Sequence, residues 1–541
     1  MASTASDWWR GGVIYQIYPR SFLDSNGDGI GDLEGIRRKL DYVAGLGVDA
    51  IWISPFFRSP MKDFGYDVSD YTDVDPMFGG IPDFDHVIAE AHRLGLRVMI
   101  DQVPSHSSDQ HPWFQESRAS RDNPRADWYV WADARDDGTP PNNWLSVFGG
   151  PAWQWDTGRC QYYLHNFLPS QPDLNYHNPE VLSAMLDCMR FWLDRGVDGF
   201  RLDAINFSFH DPRLRDNPAA AGVRETFVST PENPYSYQQH LYDKSRPEML
   251  GFLRKIRALA DEYGDVVLMG EIGDDRSREL MSEYTSGGDR LHMAYSFDLL
   301  TERRGAAHVR DRVEGLEQAI GDGYPCWSIG NHDVQRVATR WGGGVSPERV
   351  APLYAAMLLS LRGGICLYQG DELGLTEAEL AFEQLQDPYG INMWPTFKGR
   401  DGCRTPMPWA ADVAHGGFST ATPWLPVPEE HLPRAVDRQE SDDRSTLNRV
   451  RRFIGWRHAH PALAKGDILF LDAPEDVLLF ERGGDTERIL CAFNLEGEPV
   501  EVPLPGHADM TALDGHGFGG RFADGTIHLN GYDAFFGLAG R

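Results

Sequence analysis

The sequence lacks long apolar runs, paired cysteine motifs and an excess of positive charge. In the 541 residues, the longest apolar run, Leu353 to Leu359, is far shorter than the roughly 20 residues of a membrane-spanning helix. The chain has 51 Lys and Arg against 81 Asp and Glu, and this net charge of −30 disfavours nucleic acid and anionic membranes as partners. The six cysteines show no CxxC or Cys/His spacing, so neither a disulfide framework nor a zinc site is indicated.

The composition is that of a large globular protein. Hydrophobic residues make up 41% of the chain, which is enough for several domains with substantial cores. The segment from Met1 to Asp7 does not have the basic and then apolar layout of a secretory leader. We therefore expect a soluble, cytoplasmic protein that binds neither nucleic acid nor membranes.

A repeating unit of amphipathic helix, glycine and short apolar strand indicates a parallel sheet. Gly47, Gly95 and Gly196 each follow a helical stripe of apolar residues and precede a strand. The predicted strands are Val13–Ile17, Val48–Ile53, Arg97–Asp101, Val197–Asp203, Val266–Glu271, Met293–Phe297, Cys326–Ile329 and Ile365–Tyr368. Eight strands alternating with helices predict an α/β fold, a (β/α)8 TIM barrel.

Two insertions and a change of composition divide the chain. The predicted barrel comprises residues 1–103 and 175–461, with an insertion at about 372–440 after strand eight. An inserted domain after strand three is predicted at 104–174, and a C-terminal antiparallel β-sandwich domain at 462–541. Residues 211–247 are long enough for either a mobile lid or a static surface insertion.

Acidic residues stand where the predicted barrel strands end. Strands three, four and five end at Asp101, Asp203 and Glu271, and strand seven leads into Asp333. Active sites of such barrels lie at the carboxyl ends of the strands, and converging like charges make a poor structural core. The pattern therefore predicts a functional site.

Two kinds of chemistry use clustered carboxylates: metal-assisted hydrolysis and glycoside cleavage. Metal sites favour close ligand pairs, whereas these acids are separated by whole βα units. Glycoside cleavage needs one protonated and one ionised carboxyl group, which neighbouring strands can supply. If Asp203 and Glu271 lie on adjacent strands, the arrangement favours a retaining mechanism.

Several motifs resemble those of one enzyme family. The segments Asp101–His106, Gly199–Asp203, Met269–Glu271 and Asn331–Asp333 resemble the four conserved regions of the α-amylase family, glycoside hydrolase family 13. Gln171–Asn175 and Gly399–Trp409 resemble its oligo-1,6-glucosidase and α-glucosidase subgroup, and the resemblance covers nearly the whole chain.

The resemblance implies a role for each matching residue. Asp203 is expected to be the nucleophile, Glu271 the general acid and base, and Asp333 the carboxylate that holds sugar hydroxyls. Residues expected to bind substrate are Asp63, Tyr66, His106, Phe148, Phe167, Arg201, His332 and Arg400. Phe148 and Phe167 are equally compatible with the core of the inserted domain.

A glycine-rich acidic loop forms a separate motif. Asp24, Asn26, Asp28, the Ile30 carbonyl and Asp32 follow the spacing with which an EF-hand loop begins. The spacing predicts one structural divalent cation, Ca²⁺ or Mg²⁺. The alternative is a turn in which Asp32 caps the following helix.

The function implied is that of a retaining, exo-acting α-glucosidase that cleaves short α-glucosides such as maltose or sucrose and can transfer glucose. Ala204, next to Asp203, favours α-1,4 bonds by resemblance, whereas the segment at Gln171 also occurs in 1,6-acting enzymes. Alternatives are an oligo-1,6-glucosidase, an isomerase that forms trehalose or a sucrose isomer, and a non-catalytic scaffold. We expect small α-glucosides as partners, no organic cofactor, and a monomer or weak homo-oligomer.

Overall fold

Eight parallel strands form one closed sheet at the centre of the protein. The computed structural model describes residues 7–222, 231–484, 487–505 and 510–538. The strands are β1 (Val13–Ile17), β2 (Ala50–Ile53), β3 (Arg97–Gln102), β4 (Gly199–Leu202), β5 (Val267–Ile272), β6 (Met293–Ser296), β7 (Cys326–Ser328) and β8 (Gly364–Tyr368). They pair in the order β6-β5-β4-β3-β2-β1-β8-β7, and a parallel bridge between Ala294 and Pro325 joins the two ends. The predicted (β/α)8 barrel is confirmed.

Eight helices follow these strands and cover the outside of the sheet. They are α1 (Leu33–Gly45), α2 (Ile81–Arg93), α3 (Pro179–Leu193), α4 (Met249–Tyr263), α5 (Ser277–Thr285), α6 (Ala306–Ile320), α7 (Pro347–Ser360) and α8 (Thr446–His458). The glycines predicted to end three of them, Gly47, Gly95 and Gly196, have φ angles of 85°, 80° and 92°. This left-handed conformation is cheap only for glycine, which explains why the helices stop there.

The segment between β3 and α3 carries secondary structure of its own. It contains a helix, Pro112–Ala119, and an antiparallel sheet of Trp131–Ala132, Gln161–Leu164 and Trp153–Asp156. A bridge between His106 and Asp173 joins the beginning and the end of this insertion. The inserted segment is thereby fixed beside the carboxyl end of β3.

Two further long βα connections lie on the same side of the barrel. Between β2 and α2, a hairpin of Phe57–Arg58 and Asp70–Val74 encloses a short loop. Between β8 and α8, the second insertion contains the short helices Pro388–Met393 and Val436–Glu440. A short helix, Val337–Arg340, precedes α7.

The C-terminal region is antiparallel, as predicted. After a helix at Pro461–Lys465, one sheet contains Asp467–Phe470, Val477–Gly483, Arg488–Asn494, Asp533–Leu538 and Thr511–Ala512. A second sheet contains Val500–Pro503, Thr526–Leu529 and Arg521–Ala523, and apolar side chains of both sheets share one core. The buried Arg482 donates to the Ser360 carbonyl at the end of α7 (2.6 Å), which ties this region to the barrel.

Some predictions about the chain's organisation stay predictions. The residue bounds proposed for the domains are not tested by the strand and helix assignments. Of the segment 211–247, considered above as a lid, residues 223–230 lie outside the described residues. Within the described parts of the chain, no helix has both the length and the apolar character of a membrane span.

Candidate active site

A cavity of about 770 Å³ opens at the carboxyl ends of the barrel strands. Nine of the eleven residues predicted to be catalytic or to bind substrate line it: Asp63, Tyr66, His106, Phe148, Phe167, Asp203, Glu271, Asp333 and Arg400. The other two, Arg201 and His332, have no exposed surface and lie behind the wall of the cavity. The structure therefore brings the predicted residues together. Nine line the cavity, and two are buried behind its wall.

The buried guanidinium of Arg201 holds three carboxylates. Its Nη1 lies 2.5 Å from Asp203 Oδ1 and 2.9 Å from Asp101 Oδ1, and its Nη2 lies 2.5 Å from Glu271 Oε1. Strand register produces this arrangement, because Arg201 on β4 pairs with Asp101 on β3 and Met269 on β5. The two predicted catalytic carboxylates consequently share one cation.

This crowding changes the proton affinities of the carboxylates. Burial raises the pKa of Glu271 to about 7, although the charge of Arg201 opposes the increase. Burial also raises the pKa of Asp203, again against Arg201. The ionised carboxylate of Asp203 contributes to the high pKa of Glu271, because two nearby negative charges repel. Burial raises the pKa of both groups to about 7, so the two carboxyl groups can share one proton near neutral pH, with one ionised beside the other protonated.

Glu271 is also held by two neighbours whose contacts with it were not predicted from the sequence. Tyr295 donates its hydroxyl proton to Glu271 Oε1 (3.0 Å), and the backbone N–H of Ala204 donates to Oε2 (3.0 Å). Ala204 has a φ angle of 41°, so the turn after Asp203 is left-handed. Both donors favour the ionised form of Glu271, which suits a group that must also act as a base.

Asp333 is ionised near neutral pH, because its pKa is held well below the usual range. Burial alone raises its pKa, but the interactions with His332 and with the charges of Arg400 and Arg404 outweigh burial and hold the pKa well below its usual range. Arg404 Nη2 and Arg400 Nη1 donate to Asp333 Oδ1 at 2.8 and 3.1 Å. Arg404 lies within the segment that resembled the α-glucosidase subgroup, but its role was not predicted.

One end of the cavity is closed by charged groups. Arg400 Nη2 donates to Asp63 Oδ1 (2.8 Å) and to Asp387 Oδ1 (2.9 Å), and Gln171 Nε2 donates to Asp63 Oδ2 (3.0 Å). The guanidinium of Arg400 lies 5.2 Å from the centre of the Phe148 ring. Asp387 gave no signal in the sequence, because no spacing relates it to the strand ends.

Both predicted histidines are neutral. Burial lowers the pKa of His332 to about 3 and that of His106 to about 4. His332 Nε2 lies 2.7 Å from the Tyr66 hydroxyl, which donates to Asp101 Oδ2 (3.1 Å), and the rings of Tyr66 and His332 are parallel within 3°. His332 therefore orients Tyr66 at the cavity wall.

The two candidate phenylalanines belong to the cavity wall. Their ring centres are 5.8 Å apart, and the Phe167 ring also lies 5.1 Å from His106. Both are supplied by the first insertion, together with His106. This insertion thus forms one side of the cavity, and the second insertion supplies another part of the wall through Arg400, while the buried Arg404 contacts Asp333.

The acidic loop before α1 folds back on itself. Asp24 accepts hydrogen bonds from the backbone N–H groups of Asn26, Gly27 and Gly29 and from the Ser419 hydroxyl. Asp32 accepts from Gly35 N (2.6 Å) and is the N-cap of α1. In the described part of the chain, no group of three His, Cys, Asp or Glu side chains is arranged to hold a metal. The predicted turn with Asp32 as the cap is present.

The chain is similar to proteins of known family over nearly its whole length. Residues 16–466 match the family model of the α-amylase catalytic domain. A probable α-glucosidase from Rhizobium meliloti is 58% identical over 534 residues, which is 98% of this chain and 97% of that protein.

Two solved structures show the same architecture. An α-glucosyl transfer enzyme, XgtA, superimposes with a TM-score of 0.97 at 56% identity, over 99% of this chain and 100% of that one. The trehalulose synthase MutB from Pseudomonas mesoacidophila gives a TM-score of 0.89 at 33% identity, with the same coverage. The chain therefore belongs to the α-amylase family of glycoside hydrolases, glycoside hydrolase family 13.

Proposed function

We propose that this enzyme is a retaining, exo-acting α-glucosidase that removes the terminal glucose from the non-reducing end of short α-glucosides. One observation carries the proposal: Asp203 and Glu271 both contact the same guanidinium, at 2.5 Å each, beside a cavity end closed by Asp63 and Arg400. Carboxyl groups held this close suit direct attack on the sugar, whereas an inverting enzyme needs room for a water between them.

The first half of the proposed reaction forms a covalent intermediate. Glu271 gives its proton to the glycosidic oxygen, while a carboxylate oxygen of Asp203 forms a bond to the anomeric carbon of the terminal glucose. The bond between that carbon and the glycosidic oxygen breaks, and the leaving group departs as an alcohol. The charge-assisted hydrogen bond from Arg201 keeps Asp203 ionised before attack.

The second half of the reaction reverses the role of Glu271. Once Asp203 is esterified, it no longer repels a negative charge on Glu271, so the pKa of Glu271 falls. Tyr295 and the Ala204 N–H stabilise the resulting carboxylate. Glu271 then takes a proton from water, the water oxygen bonds to the anomeric carbon, and α-glucose and free Asp203 are released.

Substrate preference follows from the cavity and from the relatives. The small side chain of Ala204 lines the cavity and supports a preference for α-1,4 bonds in short substrates. Transfer to an alcohol in place of water is part of the proposal, and the similarity to an enzyme named for α-glucosyl transfer supports it. Sucrose isomerisation is the second candidate, supported by the similarity to a trehalulose synthase.

We expect 4-nitrophenyl α-glucoside, which releases only the transferred glucose, to yield α-glucose as the initial product, because two displacements at one carbon restore its configuration. Proton NMR of a time course distinguishes the α-anomer from the β-anomer before mutarotation. Asp203→Asn should abolish the reaction, while the surface variant Asp41→Asn should keep it. Initial β-glucose, or a fully active Asp203→Asn enzyme, contradicts the mechanism. Rearranged disaccharide from sucrose with little free glucose identifies the isomerase.

Glu271→Gln should lower kcat/KM on maltose by about 10²–10⁴-fold, because the leaving alcohol then lacks its proton. The same variant should keep most of its kcat/KM on α-glucosyl fluoride, whose leaving group needs no proton. With a pKa of about 7 in the free enzyme, Glu271 loses its proton as the pH rises, so kcat/KM of the wild type on maltose should fall above about pH 7.

The exposed variant Glu283→Gln on α5 is the matched control and should behave as the wild type on both substrates. Equal losses on maltose and on the fluoride would refute the assignment of Glu271 as the acid. Steady-state rates across pH 5–9 measure both effects.

We also propose that the loop 24–32 binds one structural divalent cation. The donor set suits Ca²⁺ or Mg²⁺, which prefer carboxylate, amide and carbonyl oxygens such as those of Asp24, Asn26, Asp28 and Ile30. The cation would neutralise these carboxylates and brace the loop. Asp32 contributes less, since its carboxylate already caps α1 and accepts from Ser25.

This loop is joined to the second insertion, which explains what a cation there would do. Ser419 donates to Asp24 Oδ2 (2.5 Å), and Trp424 N donates to the Gly29 carbonyl (2.9 Å). The same insertion carries Arg400 and Arg404, so a braced loop supports the closed end of the cavity. No catalytic step passes through the cation.

Chelation with EDTA should lower the melting temperature by about 2–4 °C, and added Ca²⁺ or Mg²⁺ should restore it, because a ligand of the folded state stabilises that state. Asp28→Ala should show the lower melting temperature and no response to either cation. Asp41→Ala, an exposed substitution nearby, should respond as the wild type does. A wild-type melting temperature that is insensitive to EDTA and to both cations would exclude the site.

We propose that the enzyme works in the cytoplasm as a monomer or weak homo-oligomer. The six cysteines are free thiols in the structure, and only Cys160 is exposed. Cys326 and Cys366 lie with their sulfurs 3.6 Å apart in the barrel without a bond between them. The proposal rests on the scattered cysteines, which lack the paired spacing of a disulfide framework.

A further inference from the structure

Two exposed aromatic rings stand at the outer rim of the cavity, beyond the residues that the proposed reaction uses. Phe382 and Trp394 are 43% and 36% exposed. Their ring centres are 5.5 Å apart, and the ring planes are inclined at 55°. The pair offers flat apolar surface to solvent at the entrance to the site.

Both rings belong to segments that line the cavity itself. Phe382 lies between Leu380 and Leu385, which are both lining residues. Trp394 directly precedes the lining segment 395–400. The two segments meet at the ring pair, so the exposed surface is continuous with the interior of the cavity.

Charged groups border the rings. Lys398 Nζ forms an ion pair with Glu379, and both side chains are more than half exposed. This pair connects the same two segments as the ring contact. A pyranose has an apolar face that stacks on aromatic rings and hydroxyl edges that bond to such charged groups. The rim therefore combines the two kinds of surface that sugar recognition uses.

The size of the cavity indicates how many sugar rings it can hold. Arg400 and Asp63 close the end that receives the terminal glucose. The total volume of about 770 Å³ is in the upper part of the range for ligand pockets, about 300–1,000 Å³, so it has room for more than one sugar ring. A longer leaving group extends from Asp203 and Glu271 towards the rim.

We propose that Phe382 and Trp394 form an outer sugar-binding platform that stacks on the second ring of an oligosaccharide leaving group. The proposal rests on the proposed α-glucosidase function and extends it. On this proposal, maltotriose contacts the platform through its second leaving ring, which maltose lacks. The enzyme should consequently favour the trisaccharide through binding and not through the chemical step.

The test compares the kinetics of Trp394→Ala on maltose and maltotriose. We expect KM for maltotriose to rise about three- to tenfold with kcat unchanged, and both parameters for maltose to stay at the wild-type values. Trp394→Phe, which keeps a flat ring, should retain most of the maltotriose affinity. Trp155→Ala is the matched control, because Trp155 has nearly the same exposure, 37%, in the first insertion.

Equal changes on both sugars, or no change on either, would overturn the proposal. A loss confined to 4-nitrophenyl α-glucoside would instead assign the platform to an aromatic leaving group and would also overturn it. If Trp394→Ala does not fold, as judged by circular dichroism, Phe382→Ala provides the same comparison.

A failure of the proposed function is recognised separately. If the wild type hydrolyses neither sugar, calorimetric titration of Asp203→Asn with maltose and maltotriose still measures whether the platform contributes to sugar binding. Tighter binding of maltotriose that is lost in the double variant with Trp394→Ala supports the platform, and equal binding of the two sugars refutes it.

Discussion

The contact on which the site depends is the buried guanidinium of Arg201 between three carboxylates. Without it, Asp101, Asp203 and Glu271 would place like charges together in a region with little access to water. The guanidinium forms ion pairs with all three carboxylates. The group keeps a net negative charge, since one cation faces three anions. That imbalance favours one retained proton between Asp203 and Glu271, and glycoside cleavage requires this proton on Glu271 beside an ionised Asp203.

Two other arginines, at the closed end of the cavity, keep a carboxylate fully ionised and do not let it retain a proton. Arg400 and Arg404 both donate to Asp333, so this carboxylate stays ionised although it is buried. Both arginines come from the insertion after β8, whereas Arg201 belongs to strand β4 of the barrel. In the proposed mechanism, the barrel therefore supplies the reacting groups, and the insertions supply walls of the cavity and charges that hold the sugar.

The fold and the reacting residues were predictable because both follow from local patterns. Gly47, Gly95 and Gly196 mark helix ends that only glycine allows cheaply, and the acids stand at the ends of buried strands. Parallel strands bring such ends to one edge, so the meeting of Asp203 and Glu271 followed without knowledge of the structure.

Other features could not be predicted, because they depend on contacts between distant parts of the chain. Asp387 and Tyr295 take their roles from the side chains that they meet, Arg400 and Glu271, and no spacing in the sequence relates these partners. The position of His332 behind Tyr66 similarly depends on ring packing. In the acidic loop, the same residues suit a cation site and a helix cap, and the structure shows Asp32 as the cap.

The central claim is that Asp203 attacks the sugar while Glu271 provides the proton. It is tested most directly by trapping the intermediate with 5-fluoro-α-glucosyl fluoride, followed by proteolysis and mass spectrometry. The account predicts one fluoroglucosyl group per chain, attached through an ester to Asp203, and no attachment in Asp203→Asn. Attachment to Glu271, or turnover of the fluoride without any covalent adduct, would contradict it.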